Sequence, residues 1–406
     1  MPDKRKALTQ LEGGLIVLVI ILAALAGYAF VSKPPGGVVT QTTTVTQTGA
    51  TALAISKLKV AMIVPITEAD HSWNYQAEYS LKLLQQQYNF ALSITENKFD
   101  GTAAQPVAEQ YASQGYNVVF LQGIQYQVMA STIAPKYPNT LFVCVDCFAA
   151  NYSNVYRIWL DLGQGGFILG VMAGLVSKTD TFGLIGGGRV PSIWAGHEGF
   201  KAGVLYALNA TKPSQSPTFI EKYEAFSWAD SAGAQRDATA AYNQGADVVF
   251  SSGDGIDVGV IGAAKSIASS TSKQVWATNV YTNLTAIDPT VNNVLLGSIV
   301  VNWAPLYNAA LVDYVTGNWR WGFVTANMGG GMVKVQPGPN VPSNVKEIAK
   351  RLQDMFTQGA LIMYFKTNPA TGNPLCFDSP TLPQCSDNSI ANTAAQFNFL
   401  PRFSSL

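Results

Sequence analysis

The chain has 406 residues, with 25 Lys and Arg balanced by 25 Asp and Glu, 12% charged residues and 48% hydrophobic ones. That length allows two or three domains and a large core. A formal charge of zero provides no basic field for a nucleic-acid polymer, and the composition is too apolar for disorder yet not apolar enough for a multi-span membrane protein. What remains is a globular body with one membrane element.

That element is N-terminal. Lys4, Arg5 and Lys6 precede the uncharged run GGLIVLVIILAALAGYAFVS, about 20 residues and long enough to span a hydrocarbon core. Residues 1–32 therefore read as a signal or anchor segment, with the basic cluster cytoplasmic and everything after Lys33 outside, at the cell surface. Lys6-Ala7-Leu8-Thr9 resembles an archaeal pilin-type signal peptide, in which cleavage after Ala7 would leave the apolar helix as an anchor. No lipobox cysteine follows the run, which disfavours a lipid anchor. Residues 33–56, rich in Thr, Gln, Val and Gly and without helical period, read as an extended linker.

From Lys57 short apolar runs alternate with amphipathic helices. LKVAMIVPI, FALSITEN, NVVFLQG and TLFVCVD read as strands, and AEYSLKLLQQQY, AAQPVAEQYASQG and QVMASTIAPKY as the helices between them. After Leu160-Asp161 a second series begins: strands FGLIGG, PTFIEKYEAF, DVVFSSG and QVWATNV alternate with helices GQGGFILGVMAGLVSK, AGHEGFKAGVLYAL, SAGAQRDATAAYNQG and GVIGAAKSIAS. Near-continuous apolar strands separated by helices predict α/β architecture, with doubly wound parallel sheets in two tandem halves. LLGSIVVNW, PLYNAALVDYVTGNW and GGGMVKV follow, enough chain to cross back between lobes, and VPSNVKEIAKRLQDMFTQG is a helix with Gly at its C-terminal cap. The expected lobes are 57–161 with about 300–325, and 162–299 with about 326–365, leaving 366–406 as an irregular appendix.

The four cysteines form two sequence-local pairs, Cys144 with Cys147 and Cys376 with Cys385, and two disulfides suit an oxidising exterior. A redox or metal role for the Cys-x-x-Cys pair is the alternative, although no second such motif and no nearby His accompany it.

VAMIVP…DHSWNYQAEYSLK, DLGQGGFILGVMAGLVSKTDTFGLIGG, HEGFKAGVLYA and GADVVFSSGDGIDVGVIGAAK resemble, in order and spacing, the basic membrane protein family of substrate-binding proteins, from about Lys57 to about Gly359. The resemblance implies a two-lobed type I periplasmic-binding fold that closes on its ligand by hinge motion and delivers a purine nucleoside or related small molecule to an ABC permease and ATPase. It places ligand contacts at Asp70, Ser72, Trp73 and Asn74, in a loop after the first strand, with Trp73 where the family usually has Phe. It adds Asp146 at the end of the fourth strand for ribose hydroxyls, flanked by a bracing Cys144–Cys147 disulfide. From the second lobe it adds Trp228 as an opposing plate with Asp230 beside it, and the Gly253-Asp254-Gly255 turn. The chain departs from the family pattern twice. An acidic pair is replaced by Thr278-Asn279-Val280-Tyr281, and a Lys is replaced by Asn302-Trp303, so Asn279 and Asn302 become polar candidates for a nucleoside or sugar-like ligand.

An enzyme reading lacks its groups. Only His71 and His197 are present, with no Gly-x-Ser-x-Gly elbow and no His-Glu-x-x-His. GDGIDVG lacks the spacing of a calcium loop, and GLIGGG lacks the Lys-Ser/Thr of a phosphate loop. The expectation is a binding protein without chemistry, metal or cofactor. The alternatives are a surface sensor on the same fold or an extracellular thiol oxidoreductase using Cys144 and Cys147.

Overall fold

The computed structural model describes residues 49–148, 152–224, 227–318 and 322–361. In chain order the strands are β1 (Lys59–Ile63), β2 (Ala91–Thr95), β3 (Val118–Gln122), β4 (Leu141–Val145), β5 (Val155–Leu160), β6 (Thr181–Gly186), β7 (Thr218–Tyr223), β8 (Val248–Ser252), β9 (Trp276–Tyr281), β10 (Leu295–Val301), β11 (Gly322–Ala326) and β12 (Val333–Pro337). The α-helices are α1 (Gly49–Ile55), α2 (Trp73–Tyr88), α3 (Gly101–Ser113), α4 (Gln127–Ile133), α5 (Gly163–Val176), α6 (Pro191–Thr211), α7 (Ser231–Asn243), α8 (Asp254–Thr271), α9 (Leu284–Ile287), α10 (Ala304–Thr316) and α11 (Ser343–Thr357).

The chain divides into two compact units, and each contains one six-stranded sheet. The first unit comprises described residues up to Asp161 together with 301–327, and its sheet has the order β11-β5-β4-β3-β1-β2 with every pair parallel. Strands β3, β4 and β5 are buried along their whole length, as a sheet covered on both faces requires, whereas β2 at the edge is only half-buried. Ala61, Ile63, Val119, Leu121 and Phe142 form the sheet side of a core closed by small residues of α3 (Ala104, Ala108) and by Met129 and Ile133 of α4.

The second unit comprises 162–300 and the described residues from Met328, with sheet order β12-β10-β9-β8-β6-β7. Its partly exposed strands are again the edge strands, β7 and β12. On one flank α5 and α6 lie backbone to backbone. A Cβ placed on Gly166 or Gly199 would stand 2.2 Å from the carbonyl oxygen of Gly196 or Gly163, and one on Gly170 or Gly203 would stand 2.1 Å from that of Phe200 or Phe167. These glycines let two helices approach more closely than any side chain would permit.

In both units the strand order reverses beside the first strand, at β1/β3 and at β6/β8. In doubly wound folds ligands bind outside the carboxyl ends of the strands at such a switch point.

Several boundaries differ from the sequence reading, each for a local reason. Residues 49–55, inside the stretch read as extended linker, form α1, and Ile55 is fully buried. Val155–Leu160, which the hydropathy pattern does not mark as an element, is the buried strand β5; Arg157 within it masks its apolar character. Trp73 and Asn74, expected in a loop, open α2, because Asp70 satisfies the helix start. Asp254 and Gly255, expected in a turn, open α8, and the strand read as QVWATNV begins two residues later and extends to Tyr281 as β9. The apolar segment 13–32, Cys376 and Cys385 lie outside the described residues. Among those described, no helix is long and apolar enough to cross a membrane.

Candidate functional site

At the switch point of the first unit, the loop after β1 ends in a compact capping arrangement. Asp70 Oδ1 accepts from the backbone N–H of Ser72 (3.0 Å) and Tyr75 (3.0 Å), and Oδ2 accepts from the backbone N–H (2.9 Å) and Nδ2 (2.7 Å) of Asn74. The carboxylate thus satisfies orphan donors at the start of α2 and lies on the favourable end of its dipole. His71 takes a left-handed conformation, φ 50°, to make the turn. This geometry pins Ser72 and Asn74, both almost fully buried, with Ser72 Oγ and Asn74 Oδ1 left without a hydrogen-bond partner. Asp70 therefore acts on this loop as a cap.

Trp73, between them, crosses to the neighbouring strand end. Its Nε1 donates to the carbonyl of Gln122 at 3.2 Å, and its ring meets the edge of Trp303, with centroids 5.3 Å apart and planes at 82°. Trp303 stacks on Tyr307, whose hydroxyl donates to Gln122 Oε1 at 2.6 Å. Trp73 is 6% exposed and Trp303 fully buried, so neither indole is an open plate, and the ring beside Trp73 is a core neighbour. Asn302 is exposed and spends its Oδ1 on the N–H of Ala304, capping α10. One turn beyond Asn74 on α2, Glu78 is buried with Oε1 unpartnered and Oε2 3.0 Å from Lys82 Nζ. Burial pushes its pKa up to about 7 against the lowering effect of Lys82.

Two strands along, Asp146 follows β4 in a left-handed conformation, φ 58°, and its Oδ1 accepts from the N–H of Leu160 at 3.0 Å. Cys144 and Cys147 on either side are joined as a disulfide, with Cα atoms 5.5 Å apart. Asp146 is 5% exposed and ties the end of β4 to β5.

In the second unit Trp228 lies over the glycine turn after β6. A Cβ on Gly187 would stand 2.8 Å from the indole, and the Trp228 carbonyl accepts from the N–H of Gly255 at 2.7 Å. Asp230 is the cap of α7, accepting from Gly233 N–H at 2.8 Å. Gly253, at φ 144°, turns the chain into α8, where Asp254 is the first residue and Asp257 Oδ2 accepts from Val280 N–H at 3.0 Å. Asn279 is buried, and its Nδ2 donates to the Thr282 carbonyl at 3.0 Å, bracing a turn in which Tyr281 has φ 74°.

Behind this edge lies a buried charge network that the sequence did not disclose. His197 Nδ1 is 2.9 Å from Glu221 Oε1, and Nε2 is 2.9 Å from Ser252 Oγ. Lys201 Nζ binds Glu198 Oε1 at 2.8 Å and Glu221 Oε2 at 2.6 Å. Burial alone would raise the Glu221 carboxyl, but its hydrogen bond to His197 and the Lys201 ammonium hold it below its usual range, so it accepts and Nδ1 carries the proton. Nε2 must then accept from the Ser252 hydroxyl. Burial lowers the His197 pKa and keeps the ring neutral. Serine, histidine and carboxylate are connected as in a hydrolase triad, yet Ser252 and His197 are fully buried, and the chain of bonds fixes the ends of β7 and β8. The signal for it was HEGFK, whose i,i+3/i+4 spacing puts His197, Glu198 and Lys201 on neighbouring turns.

Among the described residues, no group of three or more His, Cys, Asp or Glu could hold a metal ion. The structure thus brings Asp70, Ser72, Trp73 and Asn74 together at the switch point with Gln122, Trp303 and Tyr307, of which the sequence reading weighed only Trp303. Gln122 was visible only as a polar residue ending an apolar strand.

Comparison with known proteins agrees with this architecture. Residues 57–360 match the family model Bmp, described as ABC transporter substrate-binding protein PnrA-like. A purine-binding protein of Brucella abortus is 25% identical over 328 residues, covering 80% of this chain and 86% of its own length. An ABC transporter nucleoside-binding protein of Lactococcus lactis is 28% identical over 229 residues, covering 55% of this chain and 63% of its own length. Among solved structures, an ABC transporter solute-binding protein of Aeropyrum pernix superposes with a TM-score of 0.65 at 17% identity, covering 77% of this chain and 95% of that one; its counterpart from Conexibacter woesei gives 0.58 at 22%, covering 75% and 98%. The chain belongs to the Bmp family of PnrA-like ABC transporter substrate-binding proteins.

Proposed function

We propose that this protein captures a purine nucleoside, or a close relative, outside the cell and hands it unaltered to an ABC permease and ATPase, tethered by the apolar segment 13–32. The observation that carries the reading is the group of buried polar atoms at the first switch point. Ser72 Oγ, Asn74 Oδ1 and Gln122 Nε2 have no hydrogen-bond partner, although each residue is at most 2% exposed. A buried polar atom left unsatisfied costs about 1–3 kcal/mol, so three beside one indole are matched by a polar ligand of defined shape. The names of the Brucella and Lactococcus relatives supply the class of that ligand.

In this account Ser72 and Asn74 hydrogen-bond the ligand and Trp73 packs against it. Asp146 receives sugar hydroxyls, braced by Cys144 and Cys147. Asp70, Asp230, Asn279 and Asn302 act one step removed, by holding helix starts and turns. No residue is asked to do chemistry, so the protein is not an enzyme. A thermal-shift screen of the full chain tests the reading: a ligand at 100 times its Kd adds about 2.7 kcal/mol, so nucleosides raise Tm while sugars and amino acids do not. Stabilisation by a sugar or amino acid alone contradicts it.

A further inference from the structure

Among the buried N–H donors of the first unit without an acceptor are Gln122 Nε2 and Trp303 Nε1, and both residues are 0% exposed. They belong to one assembly. The Gln122 main chain takes the Trp73 indole N–H at 3.2 Å, the Gln122 carboxamide oxygen takes the Tyr307 hydroxyl at 2.6 Å, and Tyr307 stacks on Trp303, whose ring meets Trp73. The bond from Tyr307 occupies the oxygen end of the carboxamide and leaves the NH₂ end available. Beside Trp73 in sequence, Ser72 Oγ and Asn74 Oδ1 are also unpartnered, and the Asn74 oxygen can only accept, its own NH₂ being committed to Asp70 at 2.7 Å.

Resting on the nucleoside reading above, we infer that Gln122 and Trp303 are specificity-determining donors that select purines with a 6-oxo group, as in inosine and guanosine, over 6-amino purines. A 6-oxopurine presents two adjacent acceptors, O6 and N7, whereas adenine presents N7 as an acceptor beside an amino donor. Two donors match the first edge and leave one N–H facing another N–H on the second. The ring N1–H of a 6-oxopurine also finds an acceptor in Asn74 Oδ1, where adenine N1 has no hydrogen to give.

Titration calorimetry of the full chain with inosine, guanosine, adenosine and 7-deazainosine tests this without altering the protein. Inosine and guanosine are expected to bind roughly ten- to a hundredfold more tightly than adenosine, and loss of the N7 acceptor is expected to weaken inosine comparably. Trp303→Phe, its folding checked by its own melting transition, should narrow the inosine to adenosine ratio. Adenosine binding as tightly as inosine overturns the inference while leaving the nucleoside reading intact, and so does a deaza analogue that binds undiminished, which would mean the donors hold an internal water only. Failure of all four to bind overturns both.

Discussion

Gly170→Ala in α5 offers a sharp test of how the second unit is built. The new methyl carbon would stand 2.1 Å from the Phe200 carbonyl oxygen and 2.8 Å from the Phe200 carbonyl carbon. Carbon and oxygen need about 1 Å more than the shorter of these, and the obstacle is backbone, which no rotamer change can move aside. The two helices must therefore separate. Because Gly166, Gly199 and Gly203 make equally close approaches to the opposite helix, separation opens the whole interface. Alanine returns about 1 kcal/mol through helix propensity and reduced unfolded-state entropy. Overpacking costs about 1–3 kcal/mol where side chains can adjust and more where they cannot, so a net loss of about 2 kcal/mol or more is expected. Urea denaturation reads it as a lower midpoint at unchanged slope. Gly262→Ala in α8 is the internal control. Its Cβ would meet nothing nearer than the Gln235 side chain at 3.6 Å, so it should be neutral or stabilising by up to about 1 kcal/mol. Gly170→Ala as stable as the native protein would refute the close-packed interface.

Two further expectations concern protons. The folded-state pKa of Glu78 lies above its unfolded value, raised from 4.5 to about 7 by burial, so the folded state binds the extra proton. Its stabilising contribution is full below about pH 4.5 and lost as pH rises through 7. Glu78→Gln should remove this slope and gain stability at pH 8 by at most about 3 kcal/mol, less the lost Lys82 attraction. Urea midpoints at pH 5 and 8 check it, and an unchanged difference between them in the variant would contradict it. His197 carries the opposite sign: burial lowers its folded pKa, so the stability it contributes is present above the unfolded value and is lost as pH falls through the lower folded one. Nitrogen chemical shifts should show a neutral ring protonated at Nδ1 that titrates below pH 6.5; titration at or above that value would undo the hydrogen-bond assignment.

Much of the fold was legible because buried parallel strands must be apolar runs, and β3, β4 and β8 are. What escaped was decided by tertiary context. Arg157 hides β5 from any hydropathy pattern, yet its NH1 is satisfied by the Phe148 carbonyl at 2.8 Å. Asp70 shifts the start of α2 to Trp73 through bonds to three backbone N–H groups, a gain that composition around Ser72-Trp73-Asn74 does not reveal. The most recognisable phrases, QGGFILGVMAG and HEGFKAG, pack against each other as α5 and α6, so they report architecture and carry little about the ligand. Conversely Gln122 and Tyr307, 185 residues apart in sequence, meet only in the folded unit, and no spacing rule could have paired them.

The central claim is reversible capture of a nucleoside at the first switch point. Calorimetric titration of inosine into the full chain, followed by denaturation and mass analysis of the released compound, tests it most directly. The account predicts saturable binding of one molecule per chain, weakened by Ser72→Ala and Asn74→Ala, and recovery of inosine chemically unchanged. Unsaturable heats, affinity indifferent to both substitutions, or release of free base and ribose would contradict it.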